Sequence, residues 1–206
     1  MSLFIPTYFA PISQYAAIYK SNSVVFEIED NYQKQTYRNR CYIYGANGKL
    51  TLNIPVKHLL KEGRKKTKDT LVENDIQWQQ QHFKSLQSAY RSSPFFEFFE
   101  DDLSKIFNKK YTYLQDVNID THLFITDALQ LNTSFTKTTA YDVTPNISDY
   151  RDLALAKKGI EIEIETYIQM FDDKHGFIPN LSILDLLFME GPNAISFLEK
   201  IGLCFK

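Results

Sequence analysis

Apolar and polar positions are grouped differently in the two halves of this chain. Ser2 to Phe9 centres on Leu3, Phe4 and Ile5 and predicts a short first strand. After a turn at Pro11, Ile12, Tyr15, Ala16 and Tyr19 recur at helical spacing, which predicts a helix over Ile12 to Lys20 that Ser21-Asn22-Ser23 ends. Val24 to Ile28 is β-branched and aromatic, the composition of a second strand. Strand, helix and strand in such short order suggest a βαβ unit, with a right-handed crossover if the strands are parallel. Cys41 to Tyr44 and Leu50 to Val56 then flank Gly45-Ala46-Asn47-Gly48, in which Asn-Gly is a hairpin signal. His58 to Lys68, with Gly63 in its middle, reads as a mobile loop.

From Trp78 the texture is helical. Trp78, His82, Leu86, Ala89 and Tyr90 fall on one stripe of a helix ending before Ser92-Ser93-Pro94. Pro94 can open the next helix, PFFEFFEDDLSKIF, whose rings at Phe95, Phe96, Phe98, Phe99 and Phe107 read as core. Val117 to Leu129 predicts a third helix, with Leu123, Ile125 and Leu129 buried. Ser134 to Tyr150 is polar and Thr-rich and reads as an irregular connection. The run GIEIEIE from Gly159 fits two templates. Ile160, Ile162 and Ile164 alternate as in a strand, while Ile160, Ile164, Tyr167, Ile168 and Phe171 fit a helix, and the reading inclines to helix from Glu163. Asn180 should cap a helix over Leu181 to Met189, with Ser182 and Asp185 near its positive end. Gly191 ends that helix, and Pro192 opens a last one stopping at Gly202. The fold class is therefore α/β: an N-terminal βαβ-type mixed sheet with a β-hairpin, packed with a mainly helical C-terminal half. One domain over 1–206 is expected, with 1–75 as its α/β part and 76–206 as its mainly helical part.

Composition supports a folded core, since 44% of the 206 residues are hydrophobic and 16 Phe with 13 Tyr enlarge the area they can bury. Cys41 and Cys204 match no metal or redox spacing, which favours free thiols in a reducing compartment. The opening MSLFIPTYFAPISQY has no positive n-region, and Pro6 and Pro11 break its apolar run, so it does not read as a secretory signal. No run of roughly 18 apolar residues occurs, so no spanning helix is expected and a soluble cytoplasmic protein is.

Charge changes the picture. The chain carries −2 overall, yet residues 31–68 hold ten basic side chains against Glu62 alone, a local +9 that leaves −11 for the rest. The first part of that stretch, NYQKQTYRNR, contains Lys34, Arg38 and Arg40, amides at Asn31, Gln33, Gln35 and Asn39, two tyrosines and no acid. If extended, it presents Tyr32, Lys34, Thr36, Arg38 and Arg40 on one face and Asn31, Gln33, Gln35, Tyr37 and Asn39 on the other, neither of them apolar. It follows the second strand of the βαβ unit, and ligands of open α/β sheets collect at the carboxyl ends of the strands. The segment therefore reads as a binding site for an anionic partner, with a solvated basic loop as the plain alternative.

Several familiar chemistries have no motif here. There is no GxxxxGK[ST] or GxGxxG phosphate loop, no GxSxG elbow and no HExxH. His58, His82, His122 and His175 show no ligand-like clustering, so neither a metal nor another cofactor is expected. His82 faces the same way as Trp78 on its helix and reads either as a ring packed under the indole or as a proton donor at a cleft wall. His175 precedes Gly176-Phe177-Ile178-Pro179-Asn180 and reads as a turn residue, or as a hydrogen bond to a ligand held at that helix start beside Asn180. Asp185 either favours its helix dipole or serves as a general base.

Five segments, taken in order, resemble the WbqC-like protein family across nearly the whole chain. Pro6-Thr7-Tyr8-Phe9-Ala10-Pro11 is similar to the family's opening Pro-x-Tyr-Leu-Pro turn, and EDNYQKQTYRNR to its acidic-to-Asn-Arg segment ending in Asn39-Arg40. LTLNIPVKH resembles the Leu-Thr-x-Pro-Val strand. Trp78 with His82, then Tyr90 and Ser93-Pro94-Phe95-Phe96, resemble Trp-x-x-x-His and Tyr-x-x-x-Pro-Tyr/Phe-Phe. HGFIPNLSILDLLFMEGPNA resembles the closing signature. Many members begin His-Gln before Pro-x-Tyr, where this chain has Phe4 and Ile5.

The resemblance implies a role in bacterial surface polysaccharide (O-antigen) biosynthesis, with acyl or aminoacyl transfer to an amino sugar as the suggested chemistry. On that reading Lys34, Arg38 and Arg40 hold the phosphates of a nucleotide- or lipid-linked sugar, since guanidinium forks match phosphate oxygens. Asn39 would hold a sugar hydroxyl, Tyr8 or Tyr32 would cover a ring, and His82, His175 or Asp185 would move a proton. The rival reading is a non-catalytic scaffold docking on a glycan-assembly enzyme or on acidic membrane lipid. Nucleic-acid binding ranks below both, because the charge sits on one segment and the sequence pI is about 6.1.

Overall fold

The computed structural model describes residues 1–57, 65–157 and 162–203. His58, Lys61, Glu62, Gly63, Arg64, Gly159, Ile160 and Cys204, which enter the readings above, lie outside the described residues. The protein is a mixed α/β fold whose helices fall mostly in the C-terminal half.

Its centre is a four-stranded, all-parallel sheet. Strand β1 (Ser2–Phe4) leads through helix α1 (Ile12–Tyr19) to β2 (Val24–Phe26), and the strands pair in parallel with Leu3 opposite Val25. This is the βαβ unit expected from the sequence. The first strand stops at Phe4, short of Phe9, because Pro6 has no N–H to give a ladder. The chain turns there, with Phe9 at φ 38°. Helix α1 lies inside the molecule with even Ser13 and Gln14 buried, and Gln14 donates to Ile5 O while accepting from Thr7.

The antiparallel hairpin follows as β3 (Arg40–Gly45) and β4 (Gly48–Asn53). Gly45 pairs with Gly48 across Ala46-Asn47, and Gly48 sits at φ 92°, a conformation that favours glycine. One hairpin face, with Cys41, Ile43 and Leu52, is core.

Helix α2 (Trp78–Tyr90) buries the stripe read from the sequence: Trp78, His82, Leu86, Ala89 and Tyr90. Helix α3 (Phe96–Asn108) begins after Pro94, and Phe98 is 77% exposed, so not every ring of that run is core. Helix α4 (Leu114–Ala128) starts one turn before Val117 and leaves Leu123 exposed while burying Ile125.

The stretch expected to be an irregular connection supplies two strands. β5 (Phe135–Lys137) pairs in parallel with β2, and β6 (Ser148–Asp149) pairs in parallel with β1, giving the order β5-β2-β1-β6. Strands of two or three residues are too short for an apolar-period reading: β6 is polar throughout, and β5 offers only Phe135, which packs on Phe26 and His122. The expected helix from Glu163 is absent: β7 (Ile162–Glu163) pairs antiparallel with β8 (Gly202–Leu203), and only a short α5 (Asp172–His175) follows. Helix α6 (Ile183–Glu190) is capped by Ser182, whose hydroxyl accepts from Leu184 N. The Asn180 carboxamide instead accepts from Ser13 N in the first turn of α1. A 3₁₀ turn at Gly191–Asn193 leads into α7 (Ala194–Lys200), which packs on α1.

Aromatic contacts knit the layers together. Phe188 of α6 meets Tyr90 at 5.2 Å and Phe96 at 5.1 Å, joining three helices through one ring. No helix among the described residues is long and apolar enough to cross a membrane.

Candidate functional site

At the carboxyl end of β2 the chain passes through Glu27, Glu29 and Asp30, all buried, and then turns. Residues 31–39 are not extended: Gln35 takes φ 60°, Thr36 donates to Gln33 O at 2.9 Å, and β3 begins only at Arg40. The two alternating faces expected of a strand are therefore lost. Amides at Asn31, Gln33, Gln35 and Asn39 give a strand no apolar face to bury, and a turn results.

That turn sends Arg38 inward. It is only 2% exposed and meets Asp30 at 2.5 Å and Thr36 at 3.2 Å. Arg40 is half-buried and Lys34 is exposed, and neither has a carboxylate partner among the described residues. The three cations thus differ: Arg38 is neutralised within the protein, while Arg40 and Lys34 keep their charge uncompensated.

Residues 65–70 lie across the turn. Tyr32 N donates to Lys65 O, Thr67 N donates to Asp30 O, and Lys66 and Lys68 reach Glu29 at 2.5 and 2.6 Å. These two ammonium groups hold the Glu29 carboxyl below its usual range. Burial raises the Tyr32 hydroxyl pKa, and the Arg38 and Arg40 charges pull it back, so both guanidiniums act on that half-buried ring. Burial also lowers the Lys65 ammonium pKa, against the attraction of Asp69.

Two asparagines tie the turn to distant elements. Asn118 of α4, fully buried, donates to Pro6 O at 3.0 Å and to Arg38 O at 2.8 Å. Asn39 donates to Asn53 Oδ1 at 3.2 Å and to Ile54 O at 3.0 Å. Yet Asp30 Oδ1, Arg38 Nε, Asn39 Oδ1, Arg40 Nε, Lys65 Nζ, Thr67 Oγ1 and Asn118 Oδ1 are all buried without a hydrogen-bond partner among the described residues. Each such atom costs about 1–3 kcal/mol, so this concentration marks a place suited to polar company other than the protein's own side chains.

Tyr8 and His82 border the same region. Tyr8 N donates to Tyr37 O, and the Tyr8 hydroxyl lies 2.9 Å from His82 Nδ1. Tyr8 is fully buried with Phe9 and Trp78 against it, whereas Tyr32 is half-buried. Burial pulls the His82 pKa down to about 4, opposed by a bond to the Asn53 backbone, so the ring is neutral at pH 7.

His175, Asn180 and Asp185 lie elsewhere. Tyr90, on the α2 stripe eight residues after His82, is two turns or about 12 Å further along. Its hydroxyl donates to Asp185 Oδ1 at 2.7 Å, while Tyr167 and Gln169 donate to Oδ2 at 2.6 and 2.8 Å. Burial still raises the Asp185 pKa against these bonds. His175 is exposed and bonded to Ala46 O at the hairpin tip, and Asn180 serves α1 as described. Among the described residues no hydrogen bond joins this group to the Arg40 region.

Other features offer less chemistry. Among the described residues no group of three or more His, Cys, Asp or Glu is placed to hold a metal ion. Cys41 is fully buried, and that burial pushes its thiol pKa far up. In an open cleft of about 370 Å³ at Lys109, Tyr111, Tyr113 and Asp120, Lys109 already pairs with Asp120 at 2.5 Å.

Sequence reasoning missed Asp30, Thr67, Asn118 and Glu27. Asn118 carried a signal: with Leu114, Thr121 and Ile125 it shares the buried face of α4, where an amide is out of place unless the fold uses it.

A sequence model of the WbqC-like protein family matches residues 6–158 and 148–197. No curated protein and no solved structure matches the chain.

Proposed function

This chain belongs to the WbqC-like protein family, and we propose that it serves bacterial surface-polysaccharide (O-antigen) assembly by binding a sugar carried on a nucleotide or lipid phosphate. Arg40 and Lys65 take the phosphate oxygens, with Lys34 at the rim, because these cations have no carboxylate ion pair among the described residues. Arg38 holds Asp30 and the turn in place, Asn39 offers its unpaired carbonyl oxygen to a hydroxyl, and Tyr32 covers a ring. The suggested chemistry is acyl or aminoacyl transfer to an amino sugar, with His82 nearest the site as the proton carrier. The concentration of unpaired buried polar atoms around Arg38 and Arg40 carries this reading.

Equilibrium titration with UDP- and dTDP-sugars tests it. A charge-assisted hydrogen bond contributes about 1.5–3 kcal/mol, so Arg40→Ala should weaken binding by roughly ten- to a hundredfold with little loss of stability. Equal binding by Arg40→Ala and wild type would remove the phosphate role.

One observation favours a second reading, a non-catalytic module docking on a glycan-assembly enzyme. His82, His175 and Asp185 are each engaged by the protein's own atoms. A stoichiometric protein partner, together with sugar-nucleotide binding but no turnover, would select that reading.

A further inference from the structure

We infer that Glu27 and Arg151 together bind one hydroxyl group of the ligand's sugar, above the carboxyl end of β1. The inference deepens the sugar-phosphate reading and rests on it.

The strand order β5-β2-β1-β6 means that the chain leaves β1 toward β2 and β5 and later returns to the opposite side of β1. Ligands of open parallel sheets sit outside the carboxyl ends at such a reversal. Glu27 is the first residue after β2, and Arg151 is the second after β6. Both strands flank β1, so the two side chains meet across its end.

Their hydrogen bonds leave one donor and one acceptor over. Glu27 is 1% exposed; its Oε1 accepts from Thr138 Oγ1 at 2.8 Å and from Glu29 N at 2.7 Å, while Oε2 accepts from nothing among the described residues. A guanidinium has five N–H donors. The Nε of Arg151 donates to Asp149 and one Nη1 hydrogen to Asp142 O, while Nη2 donates to Asp149 and to Val143 O. One hydrogen on Nη1 remains unused among the described residues, and Nη1 lies 3.9 Å from Glu27 Oε2. That is too long for a direct hydrogen bond. An oxygen placed to one side can reach both at ordinary distances, donating to the carboxylate and accepting from the guanidinium.

A group that both donates and accepts satisfies the pair, as a hydroxyl does, whereas a fully ionised phosphate cannot donate and an ammonium cannot accept. The site is fixed in advance: Arg151 is clamped by Asp149 and stacked on Tyr141 at 5.1 Å, and Thr138 also accepts from Ile28 N. Arg151 retains 13% side-chain exposure, so the hydroxyl arrives from its side. Glu27 accepts from Glu29 N, and Glu29 and Asp30 pair with Lys66, Lys68 and Arg38, which ties the hydroxyl site to the cationic turn that would hold the phosphate.

The test compares UDP-N-acetylglucosamine and dTDP-glucose with UDP and dTDP by calorimetric titration, using wild type, Glu27→Gln and Arg151→Lys. Arg151→Lys keeps the charge beside Asp149 but removes the spare Nη1 donor. Both variants are expected to bind at least one sugar nucleotide tenfold or more weakly while binding UDP and dTDP as wild type does. Unchanged sugar-nucleotide affinity in both variants would mean that only water occupies the gap, and would overturn the inference while leaving the phosphate site standing. Equal losses for sugar nucleotides and free nucleotides would also overturn it, as a general structural effect. Should Glu27→Gln fail to fold, Arg151→Lys alone decides by the same comparison. If wild type binds none of the four ligands, the phosphate reading fails first and this inference with it.

Discussion

Single side chains here often do two jobs that a sequence cannot separate. Arg38 and Arg40 stand two residues apart with the same head group, yet one closes on Asp30 in the interior and the other keeps its charge at the edge. The composition of NYQKQTYRNR shows that donors gather here; which donor is spent internally depends on a turn that no periodicity encodes. His82 and His122 show burial acting on titration. Both rings are pulled down to about 4 by desolvation, against an ordinary value of 6.5. The unfolded chain takes up protons below about 6.5 while the folded rings resist until about 4, so stability falls across that window and levels off beneath it. At about 1.4 kcal/mol per pH unit, the limiting loss is roughly 3 kcal/mol for each ring. Asp185, with a raised pKa, works in the opposite direction. Urea midpoints at pH 7, 5.5 and 4 should decline, and His122→Gln should flatten the decline; a pH-independent midpoint would contradict the burial of these rings.

Elements were legible in proportion to how much side-chain pattern defines them. Helix α2 and the glycine-flanked hairpin could be read because an apolar stripe or a turn dipeptide specifies each. Strands β5 and β6 could not, since two or three residues with a single apolar side chain among them, Phe135, are too short to show a period. The capping of α6 was misplaced for a related reason: Asn180 and Ser182 are both good cap residues, and the choice rests on α1 claiming the asparagine. At the end of α6, Gly191 sits at φ 53°, and a Cβ there would lie 2.6 Å from the Phe95 ring. Gly191→Ala must strain the backbone by about 1–2 kcal/mol and displace a packed ring at a further 1–3 kcal/mol or so. Chemical denaturation should show a combined loss of about 2–5 kcal/mol, and a loss below 1 kcal/mol would mean that the helix ends differently.

At the scale of the molecule, the division into an α/β first part and a helical second part describes where elements lie along the chain, not how they depend on one another. β2 takes one neighbour, β5, and β1 takes one neighbour, β6, from beyond residue 130, while α1 is covered by α6 and α7. A fragment of residues 1–130 is therefore expected to lack a cooperative thermal transition by circular dichroism, and a sharp transition near that of the full chain would refute this dependence. Asn118 draws the same logic into time. Its one amide group bonds both Pro6 and Arg38, the two loops that frame the cationic turn. During synthesis from the N-terminus, those loops leave the ribosome long before α4 is made to hold them. At a rate of roughly 5–20 residues per second, the newborn chain carries its densest positive charge for several seconds before the residues that organise it exist. In that interval the segment is open to any polyanion nearby, the ribosome's own RNA included.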